Sequence, residues 1–161
     1  MRMGFLLLAG VFVQASVAAQ VRIAVLPFRN MDGDLRYNQW CYRFADSVAV
    51  LLARADTAGR VYRVIPRDSL ELLLGELNLD PTTPQYDSDI WKAAQLLQAE
   101  KVVTGNFNLL PGKILVNAYL YDVRTKRAEG SARNLYRAEE RADELSRLIV
   151  DRLLPQLLHG N

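Results

Sequence analysis

One cysteine and one histidine stand in a chain of 161 residues, and that scarcity removes whole classes of chemistry. A disulfide framework within the chain needs at least a pair of cysteines, and a structural zinc site wants about four Cys/His ligands. A nucleophile paired with histidine would have to be built from Cys41 or His159 alone. Charge of one sign is lacking too. Lys and Arg number 20 against 18 Asp and Glu, and a net +2 is too small an excess to argue for nucleic acid. With half the residues hydrophobic and 24% charged, the chain is neither a disordered tail nor a collagen-like fibre nor a multi-span membrane protein.

Long apolar runs are absent after the first segment. Residues 1–19 read MRMGFLLLAGVFVQASVAA: one positive charge at Arg2, an apolar run from Phe5 to Val13, then small residues. This is the pattern of a cleaved secretory signal, with the cut after Ala18 or Ala19. The run is too short for a membrane span, which takes about 20 apolar residues. A short anchor or a core helix is the alternative. Cleavage removes Arg2 and leaves 19 basic residues against 18 acidic, an almost neutral domain from residue 20 to 161. Gln20 stands where a lipoprotein signal would place cysteine, and Cys41 lies far downstream, so no lipid anchor is expected.

The mature chain reads as alternating strands and helices. Val21 to Phe28 is apolar on both sides, with Val21, Ile23 and Val25 on one face and Ala24, Leu26 and Phe28 on the other, as a central strand requires. Pro27 should end its pairing. Tyr37 to Ala55 carries apolar residues at helical spacing, Cys41 among them. A short strand follows from Val61 to Ile65, and Asp68 or Ser69 can cap a helix bearing Leu70, Leu73, Leu74 and Leu77. Leu79 to Asp87, with Pro81 and Pro84, reads as a loop before a helix begun by Ser88 or Asp89. Lys101 to Leu110 and Lys113 to Asp122 alternate strictly around the Pro111-Gly112 turn. A weakly alternating strand from about Arg127 to Tyr136 and a helix carrying Leu145, Ile149 and Leu153 complete the chain. The order β-α-β-α-α-β-β-β-α predicts an α/β (α+β) domain: a mixed five-stranded sheet flanked by helices.

The motifs that suggest chemistry dissolve on inspection. Pro111-Gly112-Lys113 is not a phosphate loop: Phe107 stands where the first glycine is needed and Ile114 replaces the Ser/Thr. The first strand ends in PFRNMDGD without a Gly-x-Gly, so no nucleotide site is expected there. Asp32 with Asp34, and Asp87 with Asp89, are paired carboxylates that could bind calcium or serve as acid and base, yet neither has a calcium loop's further ligands. Turn and cap chemistry accounts for them. Cys41 reads as a buried structural thiol, with a mixed disulfide as the alternative. The basic run Arg124-Thr125-Lys126-Arg127 is balanced by interleaved acids, leaving a solvated surface or a patch for an acidic partner.

One face is different. Strict alternation puts Thr104, Asn106, Asn108, Asn117, Tyr119 and Tyr121 together on the outward side of the hairpin. Tyr and Asn are adaptable contact residues, so Asn106, Asn108, Asn117, Tyr119 and Tyr121 are the candidate partner-binding face. The alternative is a helix laid over them.

Three segments in order carry a family resemblance: IAVLPFRNMDGD, VYRVIPRDSLELLL and EKVVTGNFNLLPGKILVNAYLYDVRTKR. They resemble the opening, the strand-helix middle and the hairpin of TolB amino-terminal-like domains, Thr104-Gly105 and Asp122-x-x-Thr125 being the most specific. The likeness runs from about Arg22 to Leu158. It implies a three-layer, anticodon-binding-like sandwich in the cell envelope that binds proteins and has no catalytic centre, cofactor or metal. Relatives of the group include the curli secretion protein CsgG, the flagellar protein FlgO and lipoprotein activators of penicillin-binding proteins. This chain has no following propeller, no lipobox and no long amphipathic hairpins, which separates it from TolB itself, from the lipoproteins and from a curli-type pore. The expectation is a periplasmic, non-enzymatic subunit for envelope assembly, secretion or transport, docked on another envelope protein and open to homo-oligomers. A periplasmic module binding a small ligand or glycan through the Tyr/Asn face is the first rival, and a hydrolase using the acidic pairs the second.

Overall fold

The computed structural model describes residues 19–56 and 61–159. The expected signal segment, up to residue 18, and the Thr57-Ala58-Gly59 turn lie outside the described residues.

The strands are β1 (Val21–Val25), β2 (Arg29–Asn30), β3 (Tyr62–Val64), β4 (Lys101–Leu110), β5 (Lys113–Asp122) and β6 (Arg127–Ala138). The helices are α1 (Gln39–Ala55), α2 (Arg67–Glu76), α3 (Tyr86–Leu96) and α4 (Glu144–His159), with single 3-10 turns at Leu35–Tyr37 and Glu139–Arg141. The sheet order is β3-β1-β4-β5-β6, and β2 pairs with β4 beyond the end of β1. Pairing is parallel among β1, β2, β3 and β4, and antiparallel from β4 through β6. The mixed sheet and the order of its elements are those expected, with two-residue β2 as a sixth strand.

β2 exists because the first strand is interrupted rather than ended. Pro27 has no N–H to give a ladder, so pairing lapses at Leu26–Phe28 and resumes at Arg29. Val25 pairs with Val103 and Arg29 with Asn106. Four steps on one strand therefore match three on its neighbour, and the extra residue reverses the side chains beyond it. Phe28 thus points to the same side as Ile23 and Val25, not with Ala24 and Leu26 as unbroken alternation predicts.

The two faces bury separate cores. On one side Ile23, Val25, Phe28, Val103, Phe107 and the inward residues of β5 and β6 pack against α1 and α4. Phe44 of α1 lies at the centre, 5.7 Å from the Phe28 ring, 5.6 Å from Phe107 and 5.1 Å from Trp40, centroid to centroid. Those spacings fall in the favourable range for aromatic pairs. On the other side Ala24, Leu26, Val102 and Val123 meet α2 and α3. The result is a three-layer sandwich.

Three local expectations change. α2 begins at Arg67 with Pro66 as its cap, so neither Asp68 nor Ser69 caps it. α3 begins at Tyr86, earlier than Ser88 or Asp89, because Tyr86 is drawn into the core: it is 1% exposed and its hydroxyl donates to the Pro27 carbonyl at 2.7 Å. β6 runs on to Ala138 through two register shifts, which hide its alternation.

Candidate functional site

The layers do not cover the sheet equally. α1 and α4 cover one side of β4–β6, whereas on the other α2 and α3 reach only the β3-β1 half, the first residues of β4 and the last of β5. A sheet face in β4–β6 is thereby left without a helix at its hairpin end. Register brings Thr104 opposite Tyr119, Asn106 opposite Asn117, Asn108 opposite Leu115 and Leu115 opposite Tyr136. Asn106, Asn108, Asn117 and Tyr119 come together here as expected, and all four are half-buried. Asn117 is the hinge of the group: its Nδ2 donates to Asn106 Oδ1 at 3.1 Å, and its Oδ1 accepts from the Asn134 N–H at 2.8 Å.

Tyr121 and Thr104 are on the same face but at its covered end. The Tyr121 ring stands edge-on to Trp91 of α3 at 5.4 Å, and Tyr119 lies 5.9 Å from Tyr121. Desolvation at this contact raises the Tyr121 phenol above its ordinary pKa. Thr104 is buried, its Oγ1 donating to the Pro27 carbonyl at 2.9 Å, beside the Tyr86 bond to the same oxygen. The face is neither wholly exposed nor wholly covered: α3 closes one end and leaves the other open.

Between the two ends lies a cleft of about 200 Å³, lined by Arg29, Trp91, Thr104, Asn106, Tyr119 and Tyr121 among others. Arg29 holds Asp87 from the first turn of α3, while its own Nε is buried without a partner. Arg29, Trp91, Leu115 and Tyr136 were not legible as site residues. Arg29 reaches the cleft only because the strand resumes after Pro27. Leu115 and Tyr136 are apolar neighbours added by register, and Tyr136, 55% exposed, had the one available signal: a large aromatic on an outward strand position.

The other candidates resolve into structural work. Asp34 accepts from the Arg36 N–H at 3.1 Å and grips its guanidinium, which holds the carboxyl below its usual range. Asp32 accepts from the Leu109 N–H at 2.6 Å, tying the loop to β4. Asp87 is paired with Arg29, and among the described residues no cluster of His, Cys, Asp or Glu could hold a metal. Cys41 is fully buried, and desolvation pushes its thiol up to about 11, a poor nucleophile. His159 ends α4, its Nδ1 2.9 Å from the Pro155 carbonyl. A second concavity of about 290 Å³ lies between α1 and α2, but its charged groups are spent on one another: Arg67 pairs with Asp46 at 2.7 Å and with Glu71. Among the described residues no helix is long and apolar enough to cross a membrane.

No family model and no curated protein sequence matches the chain. Solved structures do. TolB from Acinetobacter baumannii superposes with a TM-score of 0.53 at 19% identity, over 88% of this chain and 29% of that one. Escherichia coli LpoB gives 0.52 at 14% identity, over 76% and 60%. Lipoprotein GNA1162 from Neisseria meningitidis gives 0.51 at 18% identity, over 74% and 81%. Three structures whose sequences share so little with this one agree on a mixed sheet between helices, as the motifs of the first strand and the hairpin anticipate. The chain has the TolB amino-terminal-like fold.

Proposed function

We propose that this protein is an exported, periplasmic subunit of the cell envelope that binds a partner protein and catalyses nothing. The observation that carries the reading is the open end of the sheet, where Asn108, Asn117, Leu115 and Tyr136 lie beyond the reach of α2 and α3, and Asn106 and Tyr119 face α3 only across the cleft. A sheet covered on one side only leaves a flat surface that suits a macromolecule. Rigid tyrosines and adaptable asparagines give such a surface contact area at small entropic cost. The neighbouring cleft, at about 200 Å³, is below the roughly 300–1,000 Å³ of pockets that enclose small molecules. Its size suits one inserted side chain and weighs against the ligand-binding alternative. Structural likeness to two envelope lipoproteins and to TolB supports an accessory role, and the signal pattern of residues 1–19 supports export.

A photo-crosslinking phenylalanine analogue in place of Tyr136, expressed in the native envelope, tests this. A discrete protein adduct is expected from that position and none from the same analogue at exposed Arg63 on the far edge of the sheet. No adduct from Tyr136, or equal labelling from both positions, overturns the reading. Light scattering on the purified domain reports whether the adduct partner is a second copy.

A further inference from the structure

The outward strand positions of the open face carry charge of one sign. Along β4, β5 and β6 the positions on this side are Thr, Asn, Asn, Leu, Lys, Leu, Asn, Tyr, Tyr, Ala, Ser, Arg, Asn and Tyr, with no acid among them. Lys113 is exposed and rests over the Tyr136 ring at 5.5 Å. Arg133, exposed at the bulge of β6, lines a shallow concavity with Tyr119, Ser131 and Glu129, the last a carboxylate held by Lys101. Lys126 lies 6.0 Å over Trp91 at the covered end. None of the three cations has an ion pair among the described residues. Elsewhere Arg36, Arg43, Arg67, Lys101, Arg137 and Arg141 are each matched to a carboxylate, while others, such as Arg54, Arg63 and Arg152, are not matched among the described residues. What sets the face apart is that its strand positions carry cations and no carboxylate. The acids nearest the face are already taken or stand apart on α3. Glu129 is held by Lys101 and Asp87 by Arg29, while Asp89 is exposed on the helix.

The open part of this sheet face thus presents positive charge with no carboxylate among its strand positions, interleaved with aromatic rings and next to a cleft sized for one side chain. We propose that the open face of β4–β6 binds an acidic, aromatic-bearing segment of the partner protein, its carboxylates meeting Lys113 and Arg133 and one bulky side chain entering the cleft between Trp91, Tyr119 and Tyr121. This rests on the docking reading above and gives it a chemistry. Complementary charge of this kind sets the encounter rate and excludes wrong partners more than it supplies affinity, whereas the buried aromatic anchor supplies affinity.

The test uses the isotope-labelled domain and two short synthetic peptides, one alternating tyrosine with glutamate and one alternating tyrosine with lysine. The acidic peptide should shift the amide signals of Leu115, Asn117, Tyr119 and Tyr136, while the basic one leaves them in place. The double variant Lys113→Glu with Arg133→Glu should weaken the acidic peptide about tenfold or more, with circular dichroism unchanged because both residues are exposed. Arg63→Glu, on the opposite edge strand, should leave it unaltered. Raising salt from about 50 mM to about 500 mM should weaken the acidic peptide as well, because contacts between exposed charges are screened. Trp91→Ala should weaken it independently of salt.

Equal response to both peptides, shifts on another surface, or no response to the acidic peptide overturns the inference. The docking reading stands or falls separately. An adduct from position 136 alongside a silent peptide titration removes only the acidic class of segment. An adduct lost on charge reversal of Lys113 and Arg133 supports both.

Discussion

Position 105 has no room for a methyl group. A Cβ on Gly105 would lie 2.0 Å from the Asn117 carbonyl oxygen and 2.8 Å from the Phe28 ring. The glycine lets the Phe28 ring, turned by the extra residue between Val25 and Arg29, approach β4 and join the aromatic cluster around Phe44. Gly105→Ala should therefore cost about 1–3 kcal/mol, the range for forcing an atom into a filled core. Denaturant titration measures it, and a variant as stable as the parent would refute the packing account. The Pro27 carbonyl is the second such point. Having no strand partner, it accepts from two hydroxyls, Tyr86 at 2.7 Å and Thr104 at 2.9 Å. Tyr86→Phe leaves the oxygen one donor, so the loss should be about 0.5–1.5 kcal/mol, a single net hydrogen bond and not an orphaned acceptor. Tyr86→Phe combined with Thr104→Val leaves it none, and the double variant should lose more than the sum of the singles. Thr104-Gly105 stood out in the sequence as motif letters. Their physical content, one hydroxyl for a proline-broken strand and one missing side chain for a phenylalanine, required the register.

Among the elements, legibility followed periodicity. β4 and β5 were readable residue by residue because nothing interrupts their alternation, and the candidate face followed directly from them. β6 was not. Ala132 and Leu135 pair with Ala118 and Val116, so Arg133 and Asn134 together face Asn117, and a second shift sets Glu129 out of step. Each added residue reverses the alternation, and two reversals within twelve residues average it away. The same bulges, with the charges of Arg127, Glu129, Arg133 and Arg137, protect a long edge strand from pairing with another chain. This favours contact through the face over contact through the edge. Asn134 makes the first bulge by adopting φ of 56°, where Asn and Gly are tolerated and branched residues are not. Asn134→Gly should be nearly neutral, whereas Asn134→Val should lose about 1–2 kcal/mol and shift the amide signals of Asn117 and Asn106, which hang from the bulge. A valine variant with parental stability and unshifted Asn117 would separate the bulge from the face.

At the scale of the molecule, the two cores are divided by one sheet, and ionisable groups that must stay neutral are buried in both. Cys41 lies in the α1 and α4 core, where desolvation pushes its thiol up from 9.0 to about 11. Tyr62, in the same core, is pushed from 10.0 to about 12, chiefly by desolvation, and donates its hydroxyl to the Leu52 carbonyl at 2.7 Å. Tyr86 lies in the opposite core and is raised well above its ordinary value, again by burial first. All three are acids whose neutral form the fold favours. The unfolded chain releases their protons near ordinary pKa values while the folded chain keeps them, so the unfolded state gains as pH rises. Their contribution is complete below about pH 9 and is progressively lost from there towards pH 11 to 12. Thermal melts should be level between about pH 7 and pH 8.5 and fall steeply above about pH 9. Cys41→Ala, which leaves a small void, should start lower at neutral pH and fall less steeply in alkali. Tyr86→Phe should flatten the alkaline limb in the same way from the other side of the sheet. Because β1 contributes Ile23 and Val25 to one core and Ala24 and Leu26 to the other, both variants should move a single transition and not resolve two. Two resolved transitions, or alkaline slopes untouched by either substitution, would mean that the layers unfold apart or that these groups are not the ones held neutral.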